Sequence, residues 1–410
     1  MAIHVMDEAN RCLGCKKPMC QQGCPIKTPI PQVIKLLKEN KLDEAGWMLF
    51  ENNPLTTVCA LICNHENQCE GHYVLGKKGA PVHFSVMENY ISTTYANKMV
   101  KGPAPSNGMK VAIIGSGPAG ITIAILLARK GYQVTIFEGK DKIGGILRYG
   151  IPEFRLPKSV IDDIEYRHLE LKGIKVRPNM QIGGAITVDD LFRDGYKAIF
   201  VGTGVWRPNT LKIKGETFGH VHYAINYLNN PDSFRLGRKV IVVGAGNAAM
   251  DVARTAVRKG AEDVTCISIT KKVAASEYEY SYAQLEGVKF LFNKKPVEIT
   301  DDGIILRDIV EDENGFTDVE GTDELHTCDS VIISISQGPQ SNIVGSTQGL
   351  NATGRGLLAA DERGRTSRPG IFASGDVVAG ARTVVEAVAH SKEVAEAMHE
   401  YMMSLPKDED

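Results

Sequence analysis

KVAIIGSGPAGITIAILLARKGYQVTIFE, Lys110 to Glu138, is the stretch whose reading decides the fold. Val111–Ile114 is an apolar strand. Gly115, Gly117 and Gly120 follow as G-x-G-x-x-G, with Pro118 and Ala119 inside the turn where a helix begins. The first glycine allows a tight turn, the second lets backbone approach a pyrophosphate, and the third lets helix and strand pack closely. Phosphates then rest on the helix N-terminus. A second strand ends at Glu138, placed to accept hydrogen bonds from ribose hydroxyls.

The plan recurs. KVIVVGAGNAAMDVARTAVRKGAEDVTCISI, Lys239 to Ile269, has Gly244, Gly246 and Ala249 as G-x-G-x-x-A, with Asn247 and Ala248 at the helix start. Two strand–glycine–helix–strand units predict two dinucleotide-binding domains in an α/β fold with parallel sheets.

Residues 1–100 have a different texture. Val33, Ile34, Leu36, Leu37, Leu42 and Ala45 recur at helical spacing. Seven of nine cysteines lie here: Cys12, Cys15, Cys20 and Cys24-Pro25, then Cys59, Cys63 and Cys69. A run ending in Cys-Pro marks iron–sulfur ligation, its last cysteine serving a different cluster from the first three. Zinc suits these spacings less well. KGPAPSNG, 101–108, reads as a linker, and the charged tail Lys407–Asp410 as frayed.

Net charge of −2 points to neither nucleic acid nor an anionic membrane surface. No apolar run spans a bilayer, and the N-terminus lacks the regions of a signal peptide. An odd cysteine count crowded at one end suggests a reducing cytoplasm and metal ligation. Cys12–Cys15, the one C-x2-C, lies outside both dinucleotide units, which disfavours a redox-active disulfide there.

The cysteine run, NPLTTVCALICNHENQCEG at 53–71, GSGPAG at 115–120 and GGILRYGIPEFRLPK at 144–158 together resemble the glutamate synthase small (beta) subunit family. GAGNAAMDVART at 244–255, ISQGP at 335–339 and GIFASGDVVAGARTVVEAV at 370–388 extend the likeness. That family includes the electron-input half of dihydropyrimidine dehydrogenase. The resemblance implies a helical iron–sulfur domain over 1–100 and an FAD domain over 109–235 and 336–405. An NAD(P) domain over 236–335 is inserted between them. It implies FAD at the first glycine turn, NAD(P)H at the second, and two [4Fe–4S] clusters. Gly145, Ile146 and Arg155 would approach FAD, as would Gly375 and Asp376. Thr383 and Val384 would start a helix aimed at the flavin. Gln337 and Gly338 would meet the nicotinamide side. Arg148 reads equally as a cofactor contact or a surface salt bridge.

Two positions depart from the family. NADPH-using relatives carry a basic pair where this chain has Ile269-Thr270. Lys271 and Lys272 follow and could meet a phosphate as point charges, so the reading leans toward NADH or dual use. In the clusters, Cys24, Cys63, Cys69 and Glu88 would form one complete set. Cys12, Cys15 and Cys20 would normally take a cysteine where this chain has Tyr73. His72, Tyr73, Cys59, solvent or a missing cluster are the alternatives.

The resemblance implies hydride transfer from NAD(P)H to FAD, then single electrons through the clusters to a partner subunit or protein acceptor. The cofactors do this chemistry, so no catalytic acid or base is named. A stand-alone NAD(P)H oxidase or diaphorase is a competing reading, as is a redox-inactive relic. The intact flavin motifs favour activity.

Overall fold

The structure, a computed structural model, describes residues 4–96, 102–312 and 315–406. Lys101 of the linker and the tail Lys407–Asp410 lie outside the described residues. The chain forms two compact units. One comprises Met1–Arg148, Glu153–Val205 and Gly338–Asp410; the other comprises Tyr149–Pro152 and Trp206–Gln337.

Within the larger unit the N-terminal segment is helical, with helices Val5–Arg11, Met19–Gly23, Ile30–Lys38, Leu42–Asn52, Thr56–Ile62 and Phe84–Ala96. Ile30, Val33, Ile34 and Leu37 form one buried stripe, the i, i+3, i+4, i+7 pattern of an amphipathic helix. A proline sits in the first turn of that helix, where its missing N–H costs nothing. The turn at Asn40, with φ 58°, separates it from Leu42–Asn52.

A parallel five-stranded sheet follows, ordered Ile371–Ala373, Tyr196–Val201, Lys110–Ile114, Gln133–Phe137, Lys175–Arg177. Val111 to Ile114 are all buried, because helices cover both faces of a parallel sheet. Chain order reverses beside Lys110–Ile114, which opens a crevice at its C-terminal end. Helices Pro118–Arg129 and Val384–Met403 pack together on this sheet.

The smaller unit repeats the plan, ordered Val221–Tyr223, Ser330–Ile333, Lys239–Val243, Asp263–Ile267, Lys289–Leu291. It starts at Trp206, earlier than position 236 where the sequence reading opens the inserted domain. The reason is pairing: Val221–Tyr223 adds an edge strand beside Ser330–Ile333, which no local signal announces. An antiparallel sheet of Lys294–Thr300, Gly303–Asp312, Gly315–Asp318 and Glu324–Thr327 is also unforeseen. Its Ile299, Ile304 and Leu306 pack against Ile241, Val243 and Ile333 of the parallel sheet. Among the described residues no helix is long and apolar enough to cross a membrane.

Candidate cofactor sites

Two of the three glycines of the first turn have a steric reason within the chain. Gly115 has φ +96°, and a Cβ there would lie 2.6 Å from the Gly202 carbonyl oxygen. At Gly120 a Cβ would lie 2.0 Å from the Gly115 oxygen, so helix and strand meet only through glycine. At Gly117 a Cβ would meet nothing within 4 Å. Gly117 caps the helix Pro118–Arg129 with no side-chain hydrogen bond, leaving the first helical N–H groups for a ligand.

Glu138 is buried. Its Oε2 accepts from the Ser116 backbone N–H at 2.9 Å and from the Ser116 hydroxyl, and its Oε1 accepts from Lys140 N–H at 2.8 Å. The acid therefore ties the glycine turn to the end of the second strand. Gly144 N–H donates to the Ser116 carbonyl at 3.0 Å, which brings Gly145 so close that a Cβ would lie 2.8 Å from Gly117 Cα. Ile146 begins the short helix Ile146–Tyr149. Arg148 makes an ion pair with Asp162 at 2.6 Å and donates to the Ile143 carbonyl at 2.7 Å, with its side chain almost buried. Arg155 is partly buried in the following loop.

Gly375, distant in sequence, joins the same turn: a Cβ there would lie 3.0 Å from Ala119 Cβ. Asp376 accepts from Arg382 N–H at 3.2 Å, and burial pushes its carboxyl up to about 6. Thr383 caps the helix Val384–Met403 in a capping box with Glu386, which fixes where that helix starts.

In the smaller unit Gly244 has φ +131°, and a Cβ would lie 2.3 Å from the Ser334 oxygen. Gly246 caps the helix Asn247–Arg258, again with no side-chain cap and open space at its Cβ. Ala249 in the third position is fully buried. Asn247 and Ala248 are exposed at the helix start, and Asn247 Oδ1 accepts from Ser276 N–H at 2.9 Å. Thr270 is spent on its own turn, with its hydroxyl on Ser268 Oγ at 2.9 Å and on the Lys272 carbonyl at 2.6 Å. Lys271 donates to the Glu311 carbonyl at 3.3 Å. Gln337 ends this unit and Gly338 resumes the other.

All nine cysteines are free thiols. The N-terminal seven separate into two neighbourhoods. Cys12, Cys15 and Cys20 lie within electrostatic reach of one another. Tyr73 is buried, and its hydroxyl has Cys12, Cys20 and Cys15 as electrostatic neighbours. Cys24, Cys63, Cys69 and Glu88 form the second neighbourhood, with Cys59 against Cys63. Burial pushes the Cys20 thiol up to about 11 and the Glu88 carboxyl to about 7. Glu88 accepts from the Thr56 hydroxyl at 2.7 Å. Glu70 accepts from Ser85 N–H at 2.9 Å and so holds the start of the helix carrying Glu88.

His72 does not join either set. It is exposed, its Nδ1 donates to the Gln68 carbonyl at 2.6 Å, and its ring packs over Gly23. Among the described residues no three His, Cys, Asp or Glu close on a single-ion site. Buried or half-buried and free of disulfides, the seven cysteines suit an iron–sulfur group.

Lys392 was invisible to sequence reasoning. It lies on the helix Val384–Met403 and donates to the Asn52 carbonyl at 2.7 Å and to Asn52 Oδ1 at 3.1 Å. Cys24 is its electrostatic neighbour. The contact joins residues 340 apart in the chain, so no local signal could have shown it. Arg129 with Glu51, and His168 stacked on Phe50 at 4.9 Å, reinforce the same junction.

Comparisons with known proteins identify the family. Residues 109–391 match the pyridine nucleotide-disulphide oxidoreductase family. Residues 2–100 match dihydropyrimidine dehydrogenase domain II, 4Fe-4S cluster. The chain is 33% identical to the glutamate synthase [NADPH] small chain of Azospirillum brasilense, covering 96% of this chain and 88% of that one. It is 30% identical to the NAD-dependent dihydropyrimidine dehydrogenase subunit PreT of Salmonella typhimurium, over 96% and 94%. FprA of Mycobacterium tuberculosis, in complex with NADPH, shares the fold with TM-score 0.62 at 17% identity, over 73% of this chain and 85% of that one. The chain therefore belongs to the pyridine nucleotide-disulphide oxidoreductase family, in the branch of glutamate synthase small chains and PreT subunits, as an NAD(P)H-dependent FAD oxidoreductase with an N-terminal iron–sulfur domain.

Proposed function

We propose that this chain is an electron-input subunit, taking electrons from NAD(P)H and delivering them, through FAD and the iron–sulfur domain, to a partner subunit. The observation that carries this is the helix Val384–Met403. Its capped N-terminus belongs to the candidate flavin turn, and Lys392 on the same helix touches the segment beside Cys24. From Val384 to Lys392 is about 12 Å along a helix axis.

Bound FAD and iron–sulfur groups would supply, respectively, conversion between two-electron and one-electron transfer and single-electron carriage. The chain supplies the mounting. Gly117 and Pro118 shape the turn, and Ala119 and Gly120 present helix N–H groups to the FAD pyrophosphate. Glu138, Gly145, Ile146, Arg155, Gly375 and Asp376 surround the rest. The positive end of the helix after Thr383, at Val384, favours negative charge on the ring. Gly246, Asn247 and Ala248 take the phosphates of NAD(P)H. Cys24, Cys63, Cys69 and Glu88 hold one cluster. The engaged Thr270 and Lys271 leave no guanidinium fork for a 2′-phosphate, which supports NADH or dual use.

The test is anaerobic. NADH should bleach the flavin of the purified chain and raise an iron–sulfur EPR signal, while sustained NADH consumption should require an added acceptor or partner. Flavin reduction that never reaches the iron would refute electron delivery through the N-terminal domain. A preference for NADPH above about tenfold, or ~1.4 kcal/mol, would refute the cofactor assignment.

A further inference from the structure

We infer that Tyr73 supplies a phenolic oxygen as the fourth ligand to a second cluster, held otherwise by Cys12, Cys15 and Cys20. The inference rests on the electron-transfer reading above.

Three side chains compete for the role, and position separates them. Cys59 is fully committed to the other neighbourhood, packed against Cys63. His72 is turned to solvent and bound to the Gln68 carbonyl. Tyr73 is 5% exposed and packs in the core with Ala9, Cys20, Cys69, Val82 and Phe84, with Cys12 and Cys24 packed against that core. Cys12, Cys20 and Cys15 are the electrostatic neighbours of its hydroxyl. The local backbone enforces the split. His72 N–H bonds the Gln68 carbonyl and Tyr73 N–H the Glu70 carbonyl, closing a turn that leaves His72 exposed and Tyr73 buried.

The donor also matches chemically. A phenolate carries the same single charge as the thiolate it replaces, so the cluster keeps its net charge; imidazole would remove one. Ligation releases the phenol proton to solvent, as it does the thiol protons.

The experiment is anaerobic reconstitution with iron and sulfide, followed by iron and FAD counting and EPR of the reduced and oxidised protein. Wild type should hold about eight irons per chain, the content of two four-iron clusters. Tyr73→Phe keeps the ring and its packing but removes the oxygen. It should lose one to four irons and, when oxidised, show a three-iron signal or one cluster fewer. Tyr73→Cys should retain the wild-type iron content. Equal iron and identical spectra in wild type and Tyr73→Phe would overturn the assignment. So would a wild type with about four irons that rises to about eight in Tyr73→Cys, because the ring would then fill the cluster's space. Either result leaves the electron-transfer reading standing; a chain that holds FAD but no iron removes that reading as well.

Discussion

Gly117→Ala separates binding from folding at the first dinucleotide turn. Gly117 has φ −71° and ψ −175°, extended backbone open to any residue. A Cβ there meets no atom within 4 Å. The fold should tolerate the methyl, with a stability change of at most about 1 kcal/mol, favourable if it comes from the unfolded chain. FAD should not tolerate it, because the space beyond Gly117 is where a pyrophosphate would meet the helix N–H groups. A charge-assisted hydrogen bond is worth about 1.5–3 kcal/mol. Losing one weakens FAD binding roughly 10- to 150-fold. The assay is titration of apoprotein with FAD, alongside thermal unfolding of the apoprotein. Gly246→Ala is the internal control, expected to raise the KM for the nicotinamide cofactor while FAD content stays unchanged. A Gly117→Ala protein that folds normally and binds FAD as tightly as its parent would place the cofactor elsewhere.

Gly120→Ala should behave oppositely, because its Cβ would lie 2.0 Å from a backbone oxygen; we expect little soluble protein, and normal expression with bound FAD would contradict the packing. Arg254→Ala should destabilise the smaller unit by about 3–5 kcal/mol, since it strands buried Glu279, now paired with Arg254 at 2.7 Å; a urea midpoint close to wild type would refute it. His168 gives a pH dependence. Burial pushes its imidazole from 6.5 down to about 4, so between those values the unfolded chain holds the extra proton. Stability contributed by neutral His168 is therefore full above pH 6.5 and lost as pH falls toward 4, by about 3 kcal/mol at most. Urea unfolding at pH 7.5 and 5 should show the loss, and His168→Phe, which keeps the stack on Phe50, should reduce it; equal slopes in both proteins would rule it out.

Much of the architecture was legible because its determinants are local. A glycine at positive φ, such as Gly115 or Gly244, marks a tight turn within a short G-x-G motif. Helical stripes such as Ile30, Val33, Ile34 and Leu37 repeat within two turns. The antiparallel sheet was harder to see. Its strands mix buried and exposed positions irregularly, and a bulge between Pro296 and Glu298 breaks their alternation.

What the sequence determined alone was the pair of strand–glycine–helix units and the division of cysteines implied by a run ending in Cys-Pro. These are short-range facts of backbone sterics and ligand spacing. Tertiary structure decided the rest: that Gly375 meets Ala119, that Lys392 reaches Asn52, and that Tyr73 rather than His72 is buried in the core beside cysteines. Adjacent residues are one step apart in a chain, yet His72 is exposed and Tyr73 buried. Only packing selects which one enters the core.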